Sequence, residues 1–315
     1  MSKNILITDA THPVLEQRLR EAGFVVDVDI TADYDAILSR MADYDGVVVR
    51  SKIFVDRNFI DHSPRLRCIG RVGAGMETID VTYAESKGIR CLNSPEGNRD
   101  AVGEHAVGLL LALLNNIARA DAEIRQGLWQ REANRGAELQ YRTVGIIGFG
   151  NMGASFAQRL QGFGCRILAY DKYKFDYAPD YVQEVDLPTL MQQADVVSLH
   201  VPLTEETHHM ADYEFFQSFA HPLVLVNTSR GGVVCTPDLV RSMEQGLVTG
   251  AALDVIEYEN MTKDGLDLEN LTSDFRYLLQ SSHTVLSPHV AGWTRESKYK
   301  LAAVLADKII ETLCL

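Results

Sequence analysis

Three glycines and one aspartate carry the most direct chemical meaning in this chain. Gly148, Gly150 and Gly153 follow one another as G-x-G-x-x-G within TVGIIGFGNMGASFAQRLQGFGCRILAYD, residues 143–171, with Asn151 and Met152 inside the loop. In such a loop one glycine allows a tight turn, one leaves room for a pyrophosphate and one lets helix and strand pack closely. The helix that follows offers N–H groups and a positive dipole end to the same anion. Asp171 lies eighteen residues past Gly153, near the spacing of roughly 20 expected of an acid that accepts from a ribose hydroxyl. Such chemistry needs a strand–turn–helix–strand frame, and the flanks supply one: strand 144–147, helix 154–163 and strand 166–170. A dinucleotide site is therefore expected here, against the plainer alternative of a glycine-rich βα turn.

The rest of the chain repeats that frame. Strands are expected at 4–8, 24–28, 46–50, 65–72 and 89–93, with helices at 14–22, 33–41, 55–61 and 82–87 between them. Regular alternation of this kind means parallel β-α-β units. Pro95 to Asn98 interrupt it. A long helix over 100–126 follows, apolar on more than one stripe through Val107, Leu109, Leu110, Leu111, Leu113, Leu114 and Ile117. A helix apolar nearly all round is buried or used in assembly. It reads as an interdomain link and part of a dimer interface, or equally as an ordinary core helix. Alternation resumes with strands at 195–201, 223–227, 250–255 and 284–286 and helices at 186–193, 212–218 and 237–245. Residues 256–282 read as irregular and acidic, and a closing helix spans 294–312.

Composition narrows the function. The 315 residues suffice for two domains, and 46% hydrophobic content suits a large core. A net charge of −13 argues against a general nucleic-acid surface. The longest apolar run, 107–114, is too short to cross a membrane, and residues 1–10 lack a signal peptide's apolar core. Cys68, Cys91, Cys165, Cys235 and Cys314 are scattered without C-x-x-C spacing, so they read as buried small residues in a reducing cytoplasm rather than a disulfide framework or zinc site. No metal site is expected.

Five ordered motifs then carry a family resemblance: GIIGFGNMG from Gly145, DVVSLHVPLTEET from Asp195, LVNTSRGGVV from Leu225, AALDVIEYE from Ala251 and SPHVAGWT from Ser287. Together the chain resembles the D-isomer-specific 2-hydroxyacid dehydrogenases. The resemblance implies an α/β protein of two doubly wound parallel-sheet, Rossmann-like domains, the cofactor domain (98–288) inserted into a substrate domain (1–97 plus 289–315). It implies a catalytic trio of Arg230, Glu259 and His289, with Glu257 a competing carboxylate. His289 would exchange the hydroxyl proton, as an imidazole titrating near working pH can. Glu259 would orient it and raise its pKa. Arg230 would bind the substrate carboxylate. His200 and Pro202 would wall the adenosine side, Thr228 would line the nicotinamide region and Asp254 would bond the carboxamide. Asp171 implies NAD, because a carboxylate repels a 2′-phosphate, although Lys172 and Lys174 stand beside it.

The substrate is expected to meet Arg50, Ser51, Arg71 and the loop Gly73-Ala74-Gly75. In the 3-phosphoglycerate branch of the family, arginines matching Arg50 and Arg71 face the substrate phosphate, and a guanidinium fork suits that oxyanion. The bland alternative is two surface charges beside strands. The expectation is a cytoplasmic homodimer that oxidises a small, phosphorylated 2-hydroxy acid, 3-phosphoglycerate in serine biosynthesis. The alternatives are a hydroxypyruvate or glyoxylate reductase and a dinucleotide-sensing corepressor. Trp293, Met76 and Glu77 depart from the branch pattern, and an insertion through 261–279 lengthens the interval between Glu259 and His289.

Overall fold

The computed structural model describes residues 3–259 and 271–314. In chain order the elements are β1 (Asn4–Ile7), α1 (Val14–Glu21), β2 (Val25–Val28), α2 (Tyr34–Leu38), β3 (Gly46–Val49), α3 (Arg57–Asp61), β4 (Cys68–Arg71), α4 (Val81–Ser86), β5 (Arg90–Asn93), α5 (Arg99–Leu114) and α6 (Ile117–Arg125). There follow β6 (Thr143–Ile147), α7 (Asn151–Leu160), β7 (Arg166–Tyr170), β8 (Gln183–Glu184), α8 (Leu187–Gln193), β9 (Val196–Leu199), α9 (Tyr213–Gln217), β10 (Leu223–Asn227), α10 (Thr236–Glu244), β11 (Val248–Leu253), α11 (Ser273–Gln280), β12 (Thr284–Leu286) and α12 (Arg295–Cys314). They form two compact units: Met1–Asp100 with Trp293–Leu315, and Ala101–Gly292.

The first unit holds a five-stranded parallel sheet in the order β2-β1-β3-β4-β5. β3 is buried along its length because both faces are covered. One face packs Ile37, Met41, Phe59 and Ile69. The other packs Leu15 and Leu19 of α1 against Ala302, Leu305 and Ile309 of α12. The order reverses between β1 and β3, and Arg50 and Gly73 lie just past the carboxyl ends of β3 and β4.

The second unit holds a seven-stranded parallel sheet in the order β12-β11-β10-β9-β6-β7-β8. Apolar clusters again cover both faces, around Phe215, Phe216 and Phe275 on one side and Leu110, Phe156 and Leu160 on the other. The switch point lies between β6 and β9, and in open α/β sheets ligands bind outside the carboxyl ends of the strands at such a point.

Several expectations change. The helix expected over 100–126 is two helices bent by 62° at Asn115–Asn116. Asn116 adopts a left-handed φ of 54°, which asparagine tolerates because its short side chain can bond locally. Within 256–282 a helix, α11, forms where irregular chain was expected. Thr272 caps it by accepting from Phe275 N–H at 3.3 Å, and Phe275 and Leu278 anchor it. Part of the insertion through 261–279 lies outside the described residues. The helix expected at 33–41 stops at Leu38. Of the cysteines only Cys68 is buried; Cys91, Cys165 and Cys235 are half-buried, Cys314 is exposed and all are thiols. The domain junctions expected at 97/98 and 288/289 fall at 100/101 and 292/293. The second shift has a physical cause, since the backbone of residues 289–291 is tied to Asp254 of the second unit. Among the described residues no single helix is long and apolar enough to cross a membrane.

Candidate active site

The glycine loop follows β6 at the switch point. Gly148 has φ +91°, and a Cβ there would sit 2.6 Å from the His200 carbonyl oxygen. A Cβ on Gly153 would sit 2.1 Å from the Gly148 carbonyl oxygen, so the first turn of α7 closes onto the strand only with glycine. Gly150 faces open space, and no side chain caps the start of α7 at Asn151 and Met152. Those helix N–H groups have no partner within the helix itself. Asp171 ends β7. Its carboxylate accepts from Phe149 N–H at 2.8 Å and Tyr173 N–H at 3.0 Å, which fixes the loop and the acid together.

Two buried polar atoms nearby lack partners among the described residues, Thr228 Oγ1 and His200 Nδ1. The His200 Nε2 bonds Ser198 Oγ at 2.8 Å, and burial pushes its imidazole down to about 3, so it is neutral. Pro202 follows; its carbonyl accepts from Thr207 Oγ1 at 2.5 Å. An uncapped helix end, an open glycine face, a carboxylate at the second strand and unpartnered buried polar atoms fit a dinucleotide. The lysines beside Asp171 are engaged elsewhere: Lys172 pairs with Glu206, and Lys174 donates to the Phe149 carbonyl at 3.0 Å. Neither is held ready for a 2′-phosphate. Asp171→Ala should therefore raise NADPH affinity relative to NADH by on the order of tenfold, the worth of a single charge-assisted hydrogen bond. Fluorescence titration with both nucleotides measures it.

The trio residues lie on three neighbouring strand ends. After β10, Asn227 Oδ1 accepts from Ser229 N–H and Oγ, and Asn227 Nδ2 donates to the Arg230 carbonyl at 3.0 Å. That turn presents Arg230, whose Nη1 donates to the Ser229 carbonyl at 2.7 Å. Gly231 then meets the loop after β11, where a Cβ would lie 1.9 Å from the Ile256 carbonyl oxygen. In that loop Glu259 accepts from Ile256 N–H at 3.2 Å and, through its other oxygen, from His289 Nδ1 at 2.8 Å. A carboxylate only accepts, so Nδ1 carries the proton and Nε2 points the reactive lone pair or proton elsewhere. The Glu259 hydrogen bond raises the His289 pKa against the opposing effects of burial and the Arg230 charge. Glu257 has other partners. It accepts from His209 Nε2 at 2.6 Å and Thr236 N–H at 3.0 Å.

Asp254 is 1% exposed. Its carboxylate accepts from Ser287 Oγ at 2.6 Å, Val290 N–H at 2.9 Å and Ala291 N–H at 2.8 Å, while its backbone carbonyl accepts from His289 N–H at 2.7 Å. Burial alone would raise this carboxyl; bonds from His105, Ser287, Ala291 and Val290 outweigh it and hold the pKa below the ordinary value. His289 itself sits at φ +52°, a conformation costing about 1–3 kcal/mol outside glycine. Neither His105 nor Ser287 is marked as a functional group by the sequence. A lone histidine in an apolar helix and a serine before proline carry no local signal.

In the first unit, Arg50 N–H donates to Asp9 Oδ2 at 2.8 Å, and its guanidinium lies 4.5 Å over the Trp293 ring. Ser51 is exposed in the bend that follows. Arg71 folds across Gly73 and donates to the Val72 carbonyl at 3.3 Å. The carbonyls of Gly73 and Ala74 are tied to Ser94 N–H and Asn93 Nδ2 at 2.9 and 2.7 Å, so the turn through Gly75 is held from its carbonyl side.

Residues 107–291 match the family model of the D-isomer specific 2-hydroxyacid dehydrogenase NAD binding domain. The chain is 36% identical over 292 residues to hydroxypyruvate reductase of Thermotoga maritima, covering 91% of this chain and 92% of that one. It is 32% identical over 303 residues to D-3-phosphoglycerate dehydrogenase of Archaeoglobus fulgidus, covering 95% of this chain and 55% of the relative; the chain thus spans about half the length of that protein. Among solved structures, the D-lactate dehydrogenase of Aquifex aeolicus complexed with NAD and lactic acid superposes with a TM-score of 0.81 at 25% identity, covering 99% of this chain and 94% of that one. With the glycine loop, the acid at β7 and the matched domain on one sheet, the chain belongs to the D-isomer-specific 2-hydroxyacid dehydrogenases, NAD-dependent oxidoreductases that act on a CH–OH group.

Proposed function

We propose that Arg230, Glu259 and His289 form the catalytic trio and that the substrate is a phosphorylated three-carbon 2-hydroxy acid, 3-phosphoglycerate. Bound NAD would supply the hydride chemistry at the substrate's C2. The chain's task is then the proton and the anions. His289 Nε2 accepts the hydroxyl proton on oxidation and returns it on reduction, and Glu259 stabilises the imidazolium through Nδ1. Arg230 binds the substrate carboxylate and polarises the neighbouring carbonyl. Glycine-loop N–H groups would hold the pyrophosphate, Asp171 the ribose, and Thr228 would supply a polar atom beside the nicotinamide region. Asp254 has its carboxylate committed to residues 287–291, which supports a bracing role for it in place of a bond to the carboxamide.

The observation that carries the substrate reading is the Arg50 guanidinium held 4.5 Å over the Trp293 ring. A cation–π contact of this kind holds the guanidinium in place without using up its N–H donors, which suits it to an oxyanion. Arg71 and the Gly73-Ala74-Gly75 turn lie on the next strand end. A second reading, hydroxypyruvate or glyoxylate reduction, is favoured by the similarity to the Thermotoga protein and by the inward bond of Arg71 to Val72. A steady-state panel separates them. For the phosphorylated substrate, Arg50→Ala and Trp293→Ala should raise KM by on the order of 10–100-fold, the worth of one or two charge-assisted bonds, with lactate and glyoxylate nearly unaffected. Equal effects on all substrates would reject the phosphate reading in favour of the second. A second copy of the chain is the proposed cover for Ile117, Ile124, Leu128 and Trp129, which α6 and the residues after it leave exposed.

A further inference from the structure

We infer that His105 is a positioning residue for the catalytic histidine, acting through Ser287 and Asp254. The inference rests on His289 being the acid–base group. His105 stands in the second turn of α5, far in sequence from the SPH motif. Its Nε2 lies 2.9 Å from Ser287 Oγ and 3.4 Å from Asp254 Oδ1. Proton accounting orders the chain of bonds. Asp254, held below its ordinary pKa, is a carboxylate and can only accept. The single hydroxyl proton of Ser287 therefore goes to Asp254 Oδ1 at 2.6 Å. Ser287 can then meet Nε2 only as an acceptor, so His105 Nε2 carries a proton and donates. The direction His105 → Ser287 → Asp254 follows from the atoms themselves.

The far end of this relay is the backbone that carries His289. Asp254 Oδ1 and Oδ2 accept from Val290 and Ala291, and the Asp254 carbonyl accepts from His289 N–H. His289 holds a left-handed φ that a non-glycine residue keeps only when its surroundings over-determine it. His105 completes those surroundings. Without its donor, Ser287 keeps its bond to Asp254 but is no longer anchored, with Asp254, to α5. The His289 ring then loses its fixed direction toward substrate while the glycine loop stays as it was.

The test uses the full-length protein. His105→Ala should lower kcat by on the order of 10–100-fold, the cost of misplacing a catalytic group by an ångström or less. Substrate KM and NADH affinity by fluorescence titration should stay within about threefold, since neither the carboxylate site nor the glycine loop is touched. His105→Gln, which keeps a donor near the Nε2 position, should recover most of the loss. Ser287→Ala should give a similar loss, and the double variant little more, because the two act in one chain of bonds. Equal losses in His105→Gln and His105→Ala, additive effects of the two sites, or wild-type kcat in His105→Ala would each overturn the inference. His289→Ala is run alongside: if it retains turnover, the acid–base reading has failed; if it is inactive while His105→Ala turns over normally, only the relay has failed.

Discussion

Replacing His289 by alanine is expected to lower kcat by about 10²–10⁴-fold, the usual contribution of a positioned acid–base group and about 3–5 kcal/mol of barrier. NADH should still bind, because the glycine loop and Asp171 are held by their own hydrogen bonds. Single-turnover kinetics with a fluorescence titration of NADH check both halves; undiminished turnover would reject the role. The pH profile follows from the raised His289 pKa. Reduction of the 2-oxo acid consumes the imidazolium, so kcat/KM should be flat at low pH and fall as pH rises through a value above the ordinary imidazole pKa of 6.5. Oxidation needs the neutral ring and should rise through the same midpoint. Glu259→Gln removes the main raising interaction, so both limbs should move to lower pH. The reductive loss should then be greatest on the alkaline side. Unmoved limbs in Glu259→Gln would mean that the carboxylate does not set this pKa.

Gly231→Ala is expected to be nearly as damaging, for a steric reason. The added Cβ would lie 1.9 Å from the Ile256 carbonyl oxygen, 2.1 Å from its carbon and 2.6 Å from Glu257 N. These are backbone atoms, so relief requires the loop carrying Glu259 to move from the loop carrying Arg230. Overpacking of this kind costs about 1–3 kcal/mol of stability. An ångström of displacement between groups proposed to act together would cost on the order of 10²-fold in rate. The expected signature is a lowered midpoint of thermal unfolding with a far larger loss of kcat/KM than partial unfolding explains. Gly232→Ala is the control, since its nearest neighbours are the ends of the Leu203 side chain at 3.4 Å. A fully active Gly231→Ala variant would show that the two loops tolerate separation.

The fold was largely legible because parallel sheets covered on both faces need apolar runs, and GVVVR, DVVSLHV and LVLVN are such runs. Glycine spacing was equally readable, since steric need at Gly148 and Gly153 acts within a few residues. The missed helix α11 has a different cause. It is short, follows an acidic stretch, and is anchored by Phe275 and Leu278 packing against partners distant in sequence. The break at Asn116 was hidden because a left-handed residue between two helical patterns leaves the apolar period almost intact.

By itself the sequence determined two doubly wound sheets, a dinucleotide loop, the acid at Asp171 and an ordered set of polar loops at strand ends. These are local or periodic properties, recoverable from spacing. Only the tertiary structure set Glu259 against His289 and Glu257 against His209, turned Lys172 toward Glu206, laid Arg50 over Trp293 and brought His105 to Ser287. Each of those depends on the direction of a side chain and on a partner 30 or more residues away. Hydrogen bonds at 2.6–2.9 Å are settled by packing that no local pattern encodes. The glycine loop could therefore be recognised from its spacing, whereas the hydrogen bonds that join His105, Ser287 and Asp254 to the backbone of residues 289–291 could be found only in the folded chain.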